Sequence, residues 1–329
     1  MRTKLNKNNL IMEKYSIFVV LFAMIIVCSF LNKNFLSFNN ITNIMKQLAV
    51  GTILAYGEML LIVSGMLDLS SGAVLALAGV FSVSTYKSTD SLLLAFIVAI
   101  LVAVVCNLVN ALMVTNFKTP PFIATLAMQM VARGIALFFT KGQNILQLDR
   151  YVIFGQGTWG PVPISILITV IITIGIWYLL KHTRFGRSLY AIGGNEEASI
   201  ASGIPVMKNK YIVFMINGVL VGIAGVLFMS RVNAGLPNGA VGYEMEGLTA
   251  AIVGGTSFSG GVGTTMGTLA GAFIIGCLNN IMNLTGVDSY IQQIVKGIII
   301  AVAVIWDIRS KSKKKTKLIL VEETKESNK

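Results

Sequence analysis

"GGTSFSGGVGTTMGTLAG", residues 254–271, decides between two kinds of protein. Glycine-rich segments followed by Ser and Thr cradle phosphates with backbone N–H groups at the start of a helix. The same composition also lets two helices approach closely inside a membrane. The phosphate reading needs a preceding strand and the lysine of G-x-x-x-x-G-K-[ST]. No Gly-Lys dipeptide occurs in the chain, and after Gly261 and Gly263 the next glycine is Gly267, which breaks G-x-G-x-x-G. Gly263, Gly267 and Gly271 instead recur at i, i+4 and i+8, a ridge of small residues along one helix face. Gly218 and Gly222 repeat that spacing in an earlier apolar run. Residues 254–263 therefore read as a tight turn leading into a close-packed helix. Ser257 and Ser259 raise the idea of a serine protease, but that chemistry needs a base within reach. The only histidine, His182, falls in a basic loop.

Composition supports the membrane reading. Of 329 residues, 55% are hydrophobic and 12% charged, with a mean hydropathy of +0.77. A soluble domain carries about 25% charged residues to face water. The chain reads as an all-α polytopic membrane protein. Its net charge of +12 does not point to nucleic acid, because Lys and Arg gather at the two ends and in one central loop. Cys28, Cys106 and Cys277 each sit inside an apolar run and match no metal or disulfide spacing.

A spanning helix needs about 20 apolar residues. Runs near 15–31, 48–66, 72–86, 91–114, 121–140, 164–180, 211–230, 246–258, 264–283 and 290–307 give about ten transmembrane helices. The first lacks an A-x-A cleavage site and reads as a retained helix. The third and eighth are short, and so are expected to be broken, tilted or re-entrant. Ten crossings put both termini on one side. Arg2, Lys4, Lys7 and Lys14, then Lys181, Arg184, Arg187, Lys208 and Lys210, then the tail "RSKSKKKTK" all fall on that side, which the positive-inside rule makes cytoplasmic. The expected layout is a basic N-terminus (1–14), a membrane domain (15–308) with a cytoplasmic loop at 181–210, and a basic tail (309–329) drawn to anionic lipid headgroups.

Ionisable residues inside spans are costly, and here they are Glu58, Asp68, Arg133 and Lys296. Asp68 lies in "SGMLDLSSG", where the second span breaks and Ser64, Ser70 and Ser71 can satisfy freed backbone groups. Asn107, Asn110, Gln129, Asn217, Asn279, Asn280, Asn283, Gln292 and Gln293 add uncharged amides. Each of these residues has two readings, an interhelical tie or a contact for a hydroxyl-rich solute. The candidates for a translocation path are Asp68, Ser70, Arg133, Asn217, Asn279 and Asn283, the last two on one helix face.

The loop "KHTRFGRSLYAIGGNEEASIASGIPVMKNK" (181–210) contains a short helix, "NEEASIAS". Asn195 is its N-cap, Glu196 and Glu197 suit the helix dipole, and Gly203 stops it. The helix is either a membrane-surface spacer or a docking element for a cytoplasmic partner.

"TRFGRSLYAIGGNEEASIASGI", "YEMEGLTAAIVGGTSFSGGVGT", "PPFIATLAMQMVARGIAL" and "SGMLDLSSG" together resemble the ribose-type permeases of bacterial ABC sugar importers, over about 40–307 and in the family's order. Met66, Leu67 and Ser71 depart from the family's G-G-I-D-L-S-V-G, and Glu246-Gly247 from its usual Asp-Ala. The resemblance implies a sugar permease subunit in the bacterial cytoplasmic membrane, paired with a second copy or a paralogue. It implies a cytoplasmic ATPase that uses ATP and Mg, an extracytoplasmic sugar-binding protein, and no cofactor on this chain. By motif, the residues that couple to the ATPase are Arg187, Gly193, Asn195, Glu196, Ala198 and Gly203. Permeases for nucleosides, a furanone-like signal or branched-chain amino acids remain alternatives, as does a cation-coupled transporter using Glu58, Asp68 and Arg133.

Overall fold

The computed structural model describes residues 7–326. Its α-helices are α1 (Lys7–Leu31), α2 (Phe38–Val63), α3 (Ser71–Thr89), α4 (Leu92–Thr115), α5 (Pro121–Thr140), α6 (Ile153–Gln156), α7 (Ile164–His182), α8 (Arg184–Gly194), α9 (Glu196–Ala201), α10 (Val206–Val232), α11 (Tyr243–Val253), α12 (Thr265–Leu284) and α13 (Ser289–Glu326). Local chemistry sets many of the boundaries. Ser37, Ser91, Thr183, Asn195 and Thr264 each accept a backbone N–H of the first turn. Pro121 opens α5 at a position where a missing N–H costs nothing.

Among the described residues, α2, α4, α5, α7, α10 and α12 are long and apolar enough to cross a membrane. The protein is thus a multi-pass, mostly helical membrane protein. Each expected apolar run contributes to a helix, but the eighth is shorter than its run. It is helical only over Tyr243–Val253, about 16 Å, against a hydrocarbon core of about 30 Å. The helix stops because Gly255 takes φ +87° just after the cap, and Gly260 and Gly261, at +82° and +72°, bend the turn that follows. At the C-terminus α13 runs through to Glu326 without a break at 309. The basic side chains of 1–16 and of the tail beyond Arg309 lie outside the described residues.

The helices form two layers. α2 and α10 are buried on nearly every side and pack on α3, α11 and α12. Around them α4, α5 and α7 turn Leu101, Val105, Met130, Phe138, Ile171 and Ile174 outward, an exposed apolar surface. Two short antiparallel pairs tie loops together: β1 (Ile145–Leu146) with β4 (Ala234–Gly235), and β2 (Thr158–Trp159) with β3 (Val162–Pro163).

Glycines set the closest approaches. A Cβ at Gly218 would lie 2.7 Å from the Val104 Cα, and one at Gly222 2.7 Å from the Ile100 Cα, so α10 rests directly on the α4 backbone. Gly267 and Gly271 meet the carbonyls of Gly254 and Ala250 in the same way, bringing α12 onto the end of α11. Gly263 is the exception to the expected ridge. It precedes the N-cap Thr264 and faces the Val63 and Thr256 side chains from the turn, because α12 starts only at Thr265. At the other end of α2, the amides of Asn40 and Asn280 donate to each other's oxygens at 2.9 Å.

Candidate translocation site

After Val63 the chain leaves the helix. The amide of Gly65, with φ +81°, donates to Ile62 O, and that of Met66 to Leu61 O, both at 2.9 Å. Residues 64–70 then turn back alongside α2 until the Asp68 amide donates to Glu58 Oε2 at 3.3 Å. This return brings both carboxyl groups, fully buried, to the start of α3.

Asp68 gathers donors. Its Oδ1 accepts the Ser70 amide at 2.8 Å and the Ser70 hydroxyl at 2.5 Å. Its Oδ2 accepts the Asn217 side-chain amide of α10 at 2.8 Å. Asn217 also donates to Asn107 Oδ1 of α4 at 2.9 Å, and Asn110 donates to Ser70 Oγ at 3.0 Å. Ser71 Oγ donates to Glu58 Oε1 at 3.1 Å. One buried network of carboxyls, hydroxyls and amides therefore joins α2, α3, α4 and α10. Buried polar groups without partners are expensive, and this knot satisfies nearly all of its own. Asn110 Oδ1 is an exception, and beside the knot Glu244 Oε2, which lies against the Cα of Gly72, is also without a partner.

Next to the knot, Gln129 donates to Glu244 Oε1 at 3.3 Å, as does the Gly242 amide at 3.2 Å. Arg133 of α5 donates to the carbonyls of Pro237 and Gly239 at 2.7 and 2.8 Å. It makes no ion pair: among the described residues the ion pairs are Lys87–Asp149, Lys210–Glu196 and Lys296–Glu246. An arginine on α5 is spent on a loop that lacks helical partners for its carbonyls.

The other expected path residues lie elsewhere. Asn279 donates to Glu246 Oε1 at 3.3 Å beside Lys296, which binds the same oxygen at 2.5 Å. Asn279 lines a small cavity with Gln47, Tyr243 and Glu246, and its Oδ1 is unpaired. Asn283 is exposed and accepts from Gln292 at 2.9 Å. The common helix face of Asn279 and Asn283 therefore does not reach Asp68: one amide sits against α11 and the other at the end of α12. Glu244 and Glu246 were missed as site residues. Two acids in an eleven-residue apolar helix were the available signal.

At the opposite end of α7, α8 buries Leu189 and Ile192 and leaves Arg184, Arg187 and Ala191 exposed. α9 starts at Asn195, whose Oδ1 accepts the Ala198 amide at 2.9 Å, and ends before Gly203, at φ +77°. Glu196 pairs with Lys210 at 2.7 Å, while Glu197, Ala198 and Ile200 face outward.

The comparisons give this architecture its relatives. The family described as branched-chain amino acid transport system / permease component matches residues 40–304. The ribose import permease protein RbsC of Bacillus subtilis (strain 168) is 40% identical over 305 residues, 92% of this chain and 94% of that protein. The L-arabinose transport system permease protein AraH of Escherichia coli (strain K12) is 34% identical over 307 residues, 93% of this chain and 94% of its own length. The D-allose transport system permease protein AlsC of the same strain is 34% identical over 299 residues, 90% and 91% respectively. No solved structure matches significantly. With the family match spanning most of the chain and its relatives aligned nearly end to end, this protein belongs to the branched-chain amino acid transport system / permease component family.

Proposed function

We propose that this chain is the membrane subunit of an ATP-driven importer for a ribose-like monosaccharide. The observation that carries the reading is the knot at Asp68, rich in hydroxyls and amides, in a chain whose relatives are named for ribose, L-arabinose and D-allose. Here these groups are buried and bonded to one another, so in this reading the Ser70 hydroxyl and the Asn217 amide exchange those bonds for sugar hydroxyls when the path opens. Asp68, Ser70 and Asn217 are assigned to the path, with Arg133 shaping its outer loop.

The chain hydrolyses no ATP in this reading. A separate ATPase uses ATP and Mg and docks on the exposed surface of α8 and α9, around Arg187, Asn195, Glu196, Ala198 and Gly203. A binding protein delivers sugar to the opposite face, and a second permease copy or paralogue completes the pathway. Residues 15–308 are the embedded unit, with both termini cytoplasmic. The ten-traverse layout has support from the loop contacts. The β1–β4 pair joins 145–146 to 234–235 on one face, whereas the turn after α11 reaches α8 on the other. In this reading α11 and its turn together make one traverse.

The test is uptake of labelled ribose into proteoliposomes holding the permease, its ATPase and its binding protein. Vanadate-sensitive, ATP-dependent uptake is expected. Uptake without ATP that collapses with a protonophore would establish a cation-coupled transporter instead.

A further inference from the structure

Four glycines from three separate segments meet at one point beneath the knot. The Gly261 amide donates to the Val63 carbonyl at 2.9 Å. A Cβ on Gly193 would overlap that same carbonyl oxygen and lie 2.7 Å from the Gly261 nitrogen. One on Gly65 would lie 3.7 Å from the Gly193 Cα, and one on Gly260 2.6 Å from the Gly193 oxygen. Beside this junction the Tyr190 hydroxyl, from α8, donates to the Gly263 carbonyl at 2.8 Å.

We propose that Tyr190 and Gly193 are positioning residues through which α8 moves the end of α2 and the α11–α12 turn as one unit. The proposal rests on the reading of α8 and α9 as the ATPase-docking region. Gly193 touches backbone on both targets, so no side-chain rotamer can absorb a displacement between them. The Tyr190 bond fixes the turn to α8, so that the turn follows α8 rather than α2 alone. From Val63, five residues lead to Asp68, and the Asp68 amide is bonded to Glu58 on α2. A shift of α8 therefore acts on both sides of the break that holds the polar knot. Gly175 supplies an internal contrast: it is exposed on α7, away from this junction, and a Cβ there would meet nothing within 4 Å.

The experiment measures sugar imported per ATP hydrolysed in the reconstituted complex for the wild type, Tyr190→Phe, Gly193→Ala and Gly175→Ala. Tyr190→Phe should lower the ratio by about threefold, the weight of one hydrogen bond. Gly193→Ala should lower it further, and Gly175→Ala should match the wild type. Tyr190→Phe decides alone, because losing one hydroxyl leaves the ring packed. A wild-type ratio in Tyr190→Phe overturns the proposal. A wild-type complex without ATP-dependent uptake overturns the importer reading instead, so the two failures are separable.

Discussion

Residues 64–70 and residues 233–242 are both non-helical stretches held against the packed interior, and in each one charged side chain, Asp68 or Arg133, makes two or more of the hydrogen bonds. Asp68 collects donors where α3 begins, the end of a helix that has free N–H groups. Arg133 collects the carbonyls of a loop before α11. The signs follow from which half of the peptide group is left over. The surroundings differ as well. Asp68 is fully buried and bonded to Asn217 of α10, whereas Arg133 is partly exposed and its bonds go to backbone. An acid at the first break therefore fixes several helices, and a base at the second fixes one loop.

The contrast can be broken by substitution. Asp68→Ala strips the acceptor from the Ser70 amide, the Ser70 hydroxyl and Asn217, and should cost about 2–4 kcal/mol with loss of uptake. Thermal unfolding in detergent measures the first effect and proteoliposome uptake the second. Arg133→Met keeps the aliphatic stem but frees two carbonyls, and should cost about 1–2 kcal/mol. Its sharper signature is faster proteolysis within 233–242. If Arg133→Met destabilises the protein more than Asp68→Ala, the assignment of broad and local roles is reversed. Ser71→Ala removes one donor to Glu58 and should cost about 1 kcal/mol or less, with uptake retained. A loss of uptake there would extend the knot's essential part to Glu58.

Much of this fold was legible because lipid imposes a simple rule on backbone and side chains. Apolar runs marked the helices, and the cap at Asn195 and the stop at Gly203 marked α9 to the residue. Gly267 and Gly271 showed their use through spacing alone, but Gly263 did not, since helix spacing cannot tell where the first turn starts. The site was harder. The amide of Asn217 meets a carboxylate 149 residues earlier in the chain, and no local pattern records that pairing. Asn283 is spaced like Asn279 but lies beyond the packed length of its helix. Glu244 passed unnoticed because its importance depends on where α3 begins.

The Asn40–Asn280 pair has a mechanical consequence. It ties α2 to α12 near its first turn, while Gly193 touches the same helix at Val63. Between those points the rod is about 35 Å long at 1.5 Å per residue. If α8 moves as proposed, the helix would pivot about these amides, and its neighbours would have to yield along its length. A push of about 2 Å at Val63 tilts it by only about 3° over that length. Because the Asp68 amide is bonded to Glu58, about 27 Å from the amides, that push would carry Asp68 by about 1.6 Å while the Asn40 end stays still.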